Sequence, residues 1–218
     1  MTNRTAVNKN DIMALYMEYL LNHGSKPKSV FSFTKLNNFK DSEFYRYFGS
    51  FKSLEISIYE SFFENTLALL EKNKDYTKFN PRNKLLSFYY TFFEILSANR
   101  SYILVSLTNE TLNLKDLNVL SGLKKHFKDY IQSLNIHILE LKHKELDQIQ
   151  EKSLTESAWI QLLFTLKFWL NDNSPSFEKT DIFIEKSVNA TFDILDVTPL
   201  KSLVDLGKFL FKEKISSL

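Results

Sequence analysis

Apolar residues recur along most of this chain at spacings of three and four, the period that turns one face of an α-helix toward a core. Ile12, Leu15, Tyr16, Tyr19 and Leu20 supply the first such face, in a helix expected from about Asn8 to Asn22. Gly24 and Pro27 stop it, because glycine takes the left-handed cap conformation and proline cannot continue the hydrogen-bond ladder. Ser29 is placed to cap a second helix. Asn37-Asn38 then makes a tight turn, with Asn38 in the left-handed conformation that asparagine tolerates better than other residues carrying a β-carbon. Asp41 or Ser42 is the expected cap of a short third helix ending near Phe48. Gly49-Ser50 opens a fourth, Phe51 to Lys72, apolar on almost every side through Leu54, Ile56, Ile58, Phe62, Phe63, Leu69 and Leu70.

The polar segment Asn73 to Arg82 follows, and Pro81 suits the first turn of the next helix. Further helices are expected at about Arg82 to Ala98, Tyr102 to Glu110, Asp116 to Glu145, Thr155 to Asn171 and Phe177 to Leu195, with a last one after Pro199. The fold class is therefore all-α. Four glycines and four prolines in 218 residues agree with long helices rather than a sheet protein rich in turns. Twenty Phe and ten Tyr imply a bulky aromatic core. The absence of cysteine rules out a disulfide framework and thiolate metal sites, and fits a reducing compartment.

Charge and terminal pattern narrow the setting. The formal net charge is +2. Up to Ser50, Arg4, Lys9, Lys26, Lys28, Lys35, Lys40 and Arg46 outnumber Asp11, Glu18, Asp41 and Glu43 by three, a mildly basic face. The start MTNRTAVNKND lacks the apolar segment of a signal peptide, and no apolar run approaches the roughly 18 residues of a membrane helix. A soluble, cytoplasmic protein with no membrane span is expected.

The stretch Val30 to Leu54, VFSFTKLNNFKDSEFYRYFGSFKSL, is two short helices about a tight turn, closed by an aromatic cluster. That is the pattern of a helix-turn-helix. The run Phe44-Tyr45-Arg46-Tyr47-Phe48-Gly49-Ser50, followed by Leu54, resembles the end of the recognition helix and the entry to the fourth helix in the tetracycline-repressor (TetR) family. Val30, Phe33 and Phe39 fall where that family places apolar core residues, and Tyr45, Tyr47 and Phe48 on its most recognisable positions. The likeness in motif runs from Ile12 to Glu71; beyond, it lies in helix count and order. It implies a helix-turn-helix DNA-binding domain over residues 1–50 and a helical ligand-binding and dimerisation domain over 51–218. Lys28, Lys35, Lys40, Ser42, Glu43, Tyr45, Arg46 and Lys52 become the candidate contacts to double-stranded DNA. The chain departs from the family at three places: Asn38 replaces the usual turn glycine, Glu43 a Thr, and Phe51 a phosphate-binding Lys. Asp41 and Glu43 also bring carboxylates that repel phosphates to the start of the recognition helix, although a carboxylate can accept a hydrogen bond from cytosine.

The resemblance further implies a homodimer through the last long helices, near 155–171 and 177–195. WIQLLFTLKFWL, apolar on nearly every face, and Ile182 to Leu195 fit that role; filling the core of a single chain is the other reading of the same residues. It also implies a small-molecule cavity. An apolar ligand bounded by Phe88, Tyr89, Phe92, Tyr102, Phe127, Tyr130 and Trp159 is expected, while a plain aromatic core accounts for the same side chains. The amphipathic stretch after Pro199 fits docking on its own domain, a partner or a membrane surface. His137, Glu140 and His143 lie at helical spacing, yet no second Glu-x-x-His exists to complete a two-metal site. No phosphate loop, nucleophile elbow or HExxH motif is present, so neither catalysis, a metal site nor a cofactor is expected. Two functions stand: a ligand-responsive DNA-binding regulator, and a TetR-fold protein with a degenerate recognition helix that acts through a ligand or protein partner.

Overall fold

The computed structural model describes residues 7–108, 118–136, 144–196 and Leu206. Among them are nine α-helices and no strand: α1 (Lys9–His23), α2 (Val30–Leu36), α3 (Asp41–Tyr47), α4 (Phe51–Glu71), α5 (Pro81–Ala98), α6 (Arg100–Thr108), α7 (Ser121–Ser133), α8 (Lys144–Leu170) and α9 (Glu178–Asp196). The all-α class holds. By packing, the described residues fall into two compact units, drawn from 1–69 with 91–126 and from 70–90 with 127–218. The divide runs within α4, α5 and α7.

In the first unit the helix ends follow the sequence closely. Asn8 Oδ1 accepts the Asp11 N–H at 2.9 Å while the Asp11 carboxylate accepts the Asn8 N–H at 3.0 Å, a reciprocal cap on α1. Gly24, with φ 62°, closes α1 through its N–H to the Leu20 carbonyl at 2.9 Å. Ser29 caps α2 by accepting the Ser32 N–H at 3.1 Å. Asn38 sits at φ 58°, the left-handed turn expected of it. The start of α3 differs from expectation. Its cap is Lys40 rather than Asp41 or Ser42, because the Glu43 carboxylate reaches back to the Lys40 N–H at 2.9 Å and satisfies a donor left over at the helix start.

The core of this unit is aromatic. Phe33, fully buried, lies 6.0 Å from the ring of Tyr16, 5.8 Å from Phe39, 6.3 Å from Phe44 and 5.7 Å from Phe51. Edge-to-face pairs of this kind add to the burial of their area. Farther along, Glu60 of α4 lies over the first turn of α7, where a β-carbon on Gly122 would come within 2.2 Å of its carboxylate oxygen. His126 stacks on Phe63 with its Nε2 3.9 Å from Glu60 Oε1.

In the second unit Phe88 stacks on Tyr130 at 4.8 Å and packs 5.4 Å from Phe127, which in turn is 6.5 Å from Trp159. The single helix expected from Asp116 to Glu145 is not formed. A 3-10 turn at Asn118–Leu120 leads into α7, and Asn135, at φ 48°, breaks the chain after Ser133. The apolar period continues past this point, but a residue in the left-handed region cannot belong to a right-handed helix. Conversely α8 begins at Lys144, ahead of the expected Thr155.

The α8–α9 connection is held by one carboxylate. Asp172, buried, accepts hydrogen bonds from the Ser174 N–H (2.8 Å) and hydroxyl (2.6 Å) and from the Thr180 N–H (2.9 Å) and hydroxyl (2.7 Å). It thereby caps α9 across a loop in which Ser176 and Phe177 take positive φ values of 52° and 60°. Burial alone would raise its pKa; the bonds from Ser174 and then Thr180 outweigh it and lower the carboxyl to about 2 from 3.8. Because the folded value is depressed, this stabilisation is complete above pH 4 or so and is lost as the pH falls toward 2. Asp172→Asn therefore lowers unfolding stability at pH 7 by about 1–3 kcal/mol, and the gap to the native chain narrows in denaturant titrations as the pH approaches 2. An equal gap at both pH values contradicts this role.

Candidate functional site

The segment from α2 through the turn to α3 is assembled by what its helices bury. Phe44 and Phe48 turn inward from α3, which leaves Ser42, Tyr45 and Arg46, three and four residues apart, together on its exposed side. Lys40 precedes them at the cap, and Lys28, Lys35 and Lys52 are also exposed. None of Lys28, Lys35, Lys40, Arg46 or Lys52 is ion-paired among the described residues. Lys35 lies over the exposed ring of Phe31, 5.9 Å from its centroid. Phe31 and Leu36, both exposed on α2, escaped the sequence reading, since their spacing matches that of core residues.

Glu43 and Phe51 acquire local explanations. Glu43 is half-buried and spent on the Lys40 N–H, so its carboxylate serves the start of α3. Phe51, where a phosphate-binding lysine is common in the family the motif resembles, stacks on Tyr16 at 5.4 Å and meets Phe44 edge-on at 5.4 Å. A cation there would open the aromatic core. Lys52, the next residue, stays exposed.

Sequence reasoning also missed a buried carboxylate on α4. Glu55 of α4 is buried beside Tyr16 and Lys26. The available signal was a carboxylate set directly between Leu54 and Ile56 on an otherwise apolar helix.

The residues expected around a ligand divide between the two units. Phe88, Tyr89, Phe127, Tyr130 and Trp159 lie in the second, where Tyr130 donates to the Lys84 carbonyl at 3.0 Å and pairs with the Tyr76 hydroxyl at 2.8 Å. Phe92 and Tyr102 lie in the first. There Phe92 meets Phe93 edge-on at 5.8 Å, and the buried Tyr102, 6.4 Å from the Tyr59 ring, has a hydroxyl with no hydrogen-bond partner among the described residues. Burial raises Tyr89, Tyr102 and Tyr130 well above the usual phenol range, so each remains a neutral hydroxyl. A cavity of about 110 Å³ in the second unit is lined by Leu85, Ile131, Leu154, Ala158, Gln161 and Phe192 among others, and by none of the seven expected residues. Its polar lining is Ser157, Gln161 and Thr191, of which Gln161 donates to Ser187 Oγ at 3.2 Å and accepts from the Thr191 hydroxyl at 3.3 Å.

On α8, Ala158, Trp159, Leu162, Leu163, Leu166 and Trp169 are buried, whereas Ile160, Phe164 and Phe168 are exposed. On α9, Ile184 and Val188 are buried and Ile182 and Ile194 exposed. Phe168 stacks on Phe183 at 4.7 Å beside an open crevice of about 810 Å³ that runs to Pro175. His137, Glu140 and His143 lie outside the described residues, as does the stretch after Pro199 apart from Leu206, which is exposed. Among the described residues, no three His, Asp or Glu side chains are grouped to hold a metal ion. No described helix is long and apolar enough to cross a membrane.

A family model described as the tetracyclin repressor-like C-terminal domain matches residues 84–210, more than half of the chain. No curated protein matches the sequence. The family match begins in α5 and spans α6 to α9, the helices beyond the reach of the helix-turn-helix motif. Two separate stretches, one read from motif and one from the family model, thus point the same way, and the chain belongs to the tetracycline-repressor-like family.

Proposed function

We propose that this chain is a TetR-like transcriptional regulator that binds duplex DNA as a homodimer and responds to a small apolar ligand. The observation that carries the reading is the exposed face of α3, with Ser42, Tyr45 and Arg46 aligned and unpaired cations around it, in a chain whose later helices belong to a regulator family. In this reading residues 1–50 bind DNA and residues 51–218 bind the ligand and the second copy. Tyr45 and Ser42 meet base edges while Lys28, Lys35, Lys40, Arg46 and Lys52 hold phosphates. Such a regulator works in the cytoplasm, beside the DNA it controls.

The ligand arm draws support from the 110 Å³ cavity. An apolar cavity of about 150 Å³ admits benzene, so this one suits a molecule of a few heavy atoms, with Gln161 as a polar contact. The dimer arm draws support from Ile160, Phe164, Phe168, Ile182 and Ile194, large apolar side chains left exposed on α8 and α9. A second reading, a TetR-fold protein that no longer binds DNA, is favoured by Asp41 and Glu43 at the start of α3 and by the aromatic Phe51 in place of a phosphate-binding cation.

Glu43 separates the two readings. Glutamine at this position keeps the bond to the Lys40 N–H and removes the charge. Glu43→Gln is expected to leave thermal stability nearly unchanged and to strengthen retardation of mixed-sequence duplex several-fold at low salt, and Lys40→Met to lower the salt slope by about one unit. If neither the native chain nor Glu43→Gln retards any duplex at low salt, the second reading takes the place of the first. For the dimer, an interface of this kind buries more than about 1,000 Å², and a carboxylate at its centre is strongly unfavourable. Sedimentation is expected to give a dimer at micromolar concentration for the native chain and a monomer for Phe164→Glu; a native monomer contradicts the assignment.

A further inference from the structure

Burying a carboxylate is costly unless its charge is met by close partners. The Glu55 side chain is only 8% exposed, yet it stands on α4 among apolar residues. Its oxygens are met from two other segments. The Tyr16 hydroxyl of α1 donates to Oε1 at 2.5 Å, and the Lys26 ammonium lies 3.0 Å from both Oε1 and Oε2. Tyr16 is held twice by α4, since its ring also stacks on Phe51, one helical turn before Glu55. Lys26, whose side chain is 44% exposed, belongs to the short link between Gly24 and Ser29 that carries the chain from α1 into α2.

Edge-on rings bring these helices together, but burial of apolar area is itself non-directional and sets their register less tightly than a directed bond does. A charged hydrogen-bond pair does have direction, and fixing register is the best-attested use of a buried ion pair. We infer that Glu55 is a positioning residue for DNA binding: by gripping Tyr16 and Lys26 it fixes where the α1–α2 link stands on α4, and with it the angle at which α3 meets a duplex. The inference rests on the DNA-binding reading above. It assigns Lys26 to the protein's own carboxylate, so that among the cations of the first 50 residues Lys26 holds the fold while Lys28, Lys35, Lys40 and Arg46 face outward.

The test is a double-mutant cycle read in DNA affinity and in its salt dependence, on the duplex that the native chain retards best. Glu55→Gln and Lys26→Met are each expected to weaken binding about tenfold, and the double variant to be no weaker than the weaker single, because both remove one interaction. The salt slope stays at the native value in all three, since no phosphate contact is lost. Fraction folded by circular dichroism and dimer content by sedimentation are measured on the same samples. An affinity loss that merely follows the unfolded fraction overturns the inference, and so does a slope lowered by about one unit in Lys26→Met with Glu55→Gln unaffected, which would make Lys26 a phosphate contact. Should Glu55→Gln fail to fold, Tyr16→Phe keeps the ring stacked on Phe51 and removes one donor; a smaller loss at unchanged slope is then expected, and native affinity overturns the inference. A native chain that retards no duplex removes the DNA-binding reading together with this one, whereas native binding with silent variants removes this one alone.

Discussion

Four helices meet on the side chain of Phe33. Its ring takes edge contacts from Tyr16 and Tyr19 of α1, from Phe39 and Phe44 at the entry to and within α3, and from Phe51 at the start of α4. Two of these helices are seven residues long, too short to persist on local hydrogen bonds alone. Their stability comes from this shared ring cluster. The cluster also decides what faces outward: once Phe44 and Phe48 are drawn in, the period of the helix puts Ser42, Tyr45 and Arg46 on the open side.

The same constraint accounts for departures from the family motif. Phe51, half-buried, completes the cluster, so a position where the resembled family often has a phosphate-binding cation here packs on aromatic rings. Glu43 completes the start of α3, where no side-chain oxygen of Lys40 is available to act as a cap. Both changes serve the domain's own structure while making the exposed surface around α3 less positive. Stability and electrostatic attraction are thus set against each other within one short motif.

Much of the fold was legible because its determinants are local. Gly24, Ser29, Asn38 and Pro81 act through their own backbone preferences, and each stands where the sequence placed it. The helix break at Asn135 was not legible, because the apolar period runs through it and asparagine only permits the left-handed conformation without requiring it. Nor was the cap at Lys40, which depends on a carboxylate three residues later bending back. The candidate site was legible on α3, where one helix carries the exposed residues. It was less so around the aromatic residues, since helical spacing says that Phe92 and Phe88 are buried but not that they are buried in different units. Glu55 was passed over for the same reason: its partners lie 39 and 29 residues away in the chain.

In the proposed function, an aromatic cluster centred on Phe33 presents α3 as a DNA-reading surface in a two-fold dimer. Selection of bound duplexes from a pool of random sequence, using the native chain at low salt, tests this most directly. It is expected to enrich an inverted repeat whose half-sites lie about one helical turn, or a multiple of it, apart. Recovery of no sequence above its frequency in the starting pool would contradict the account.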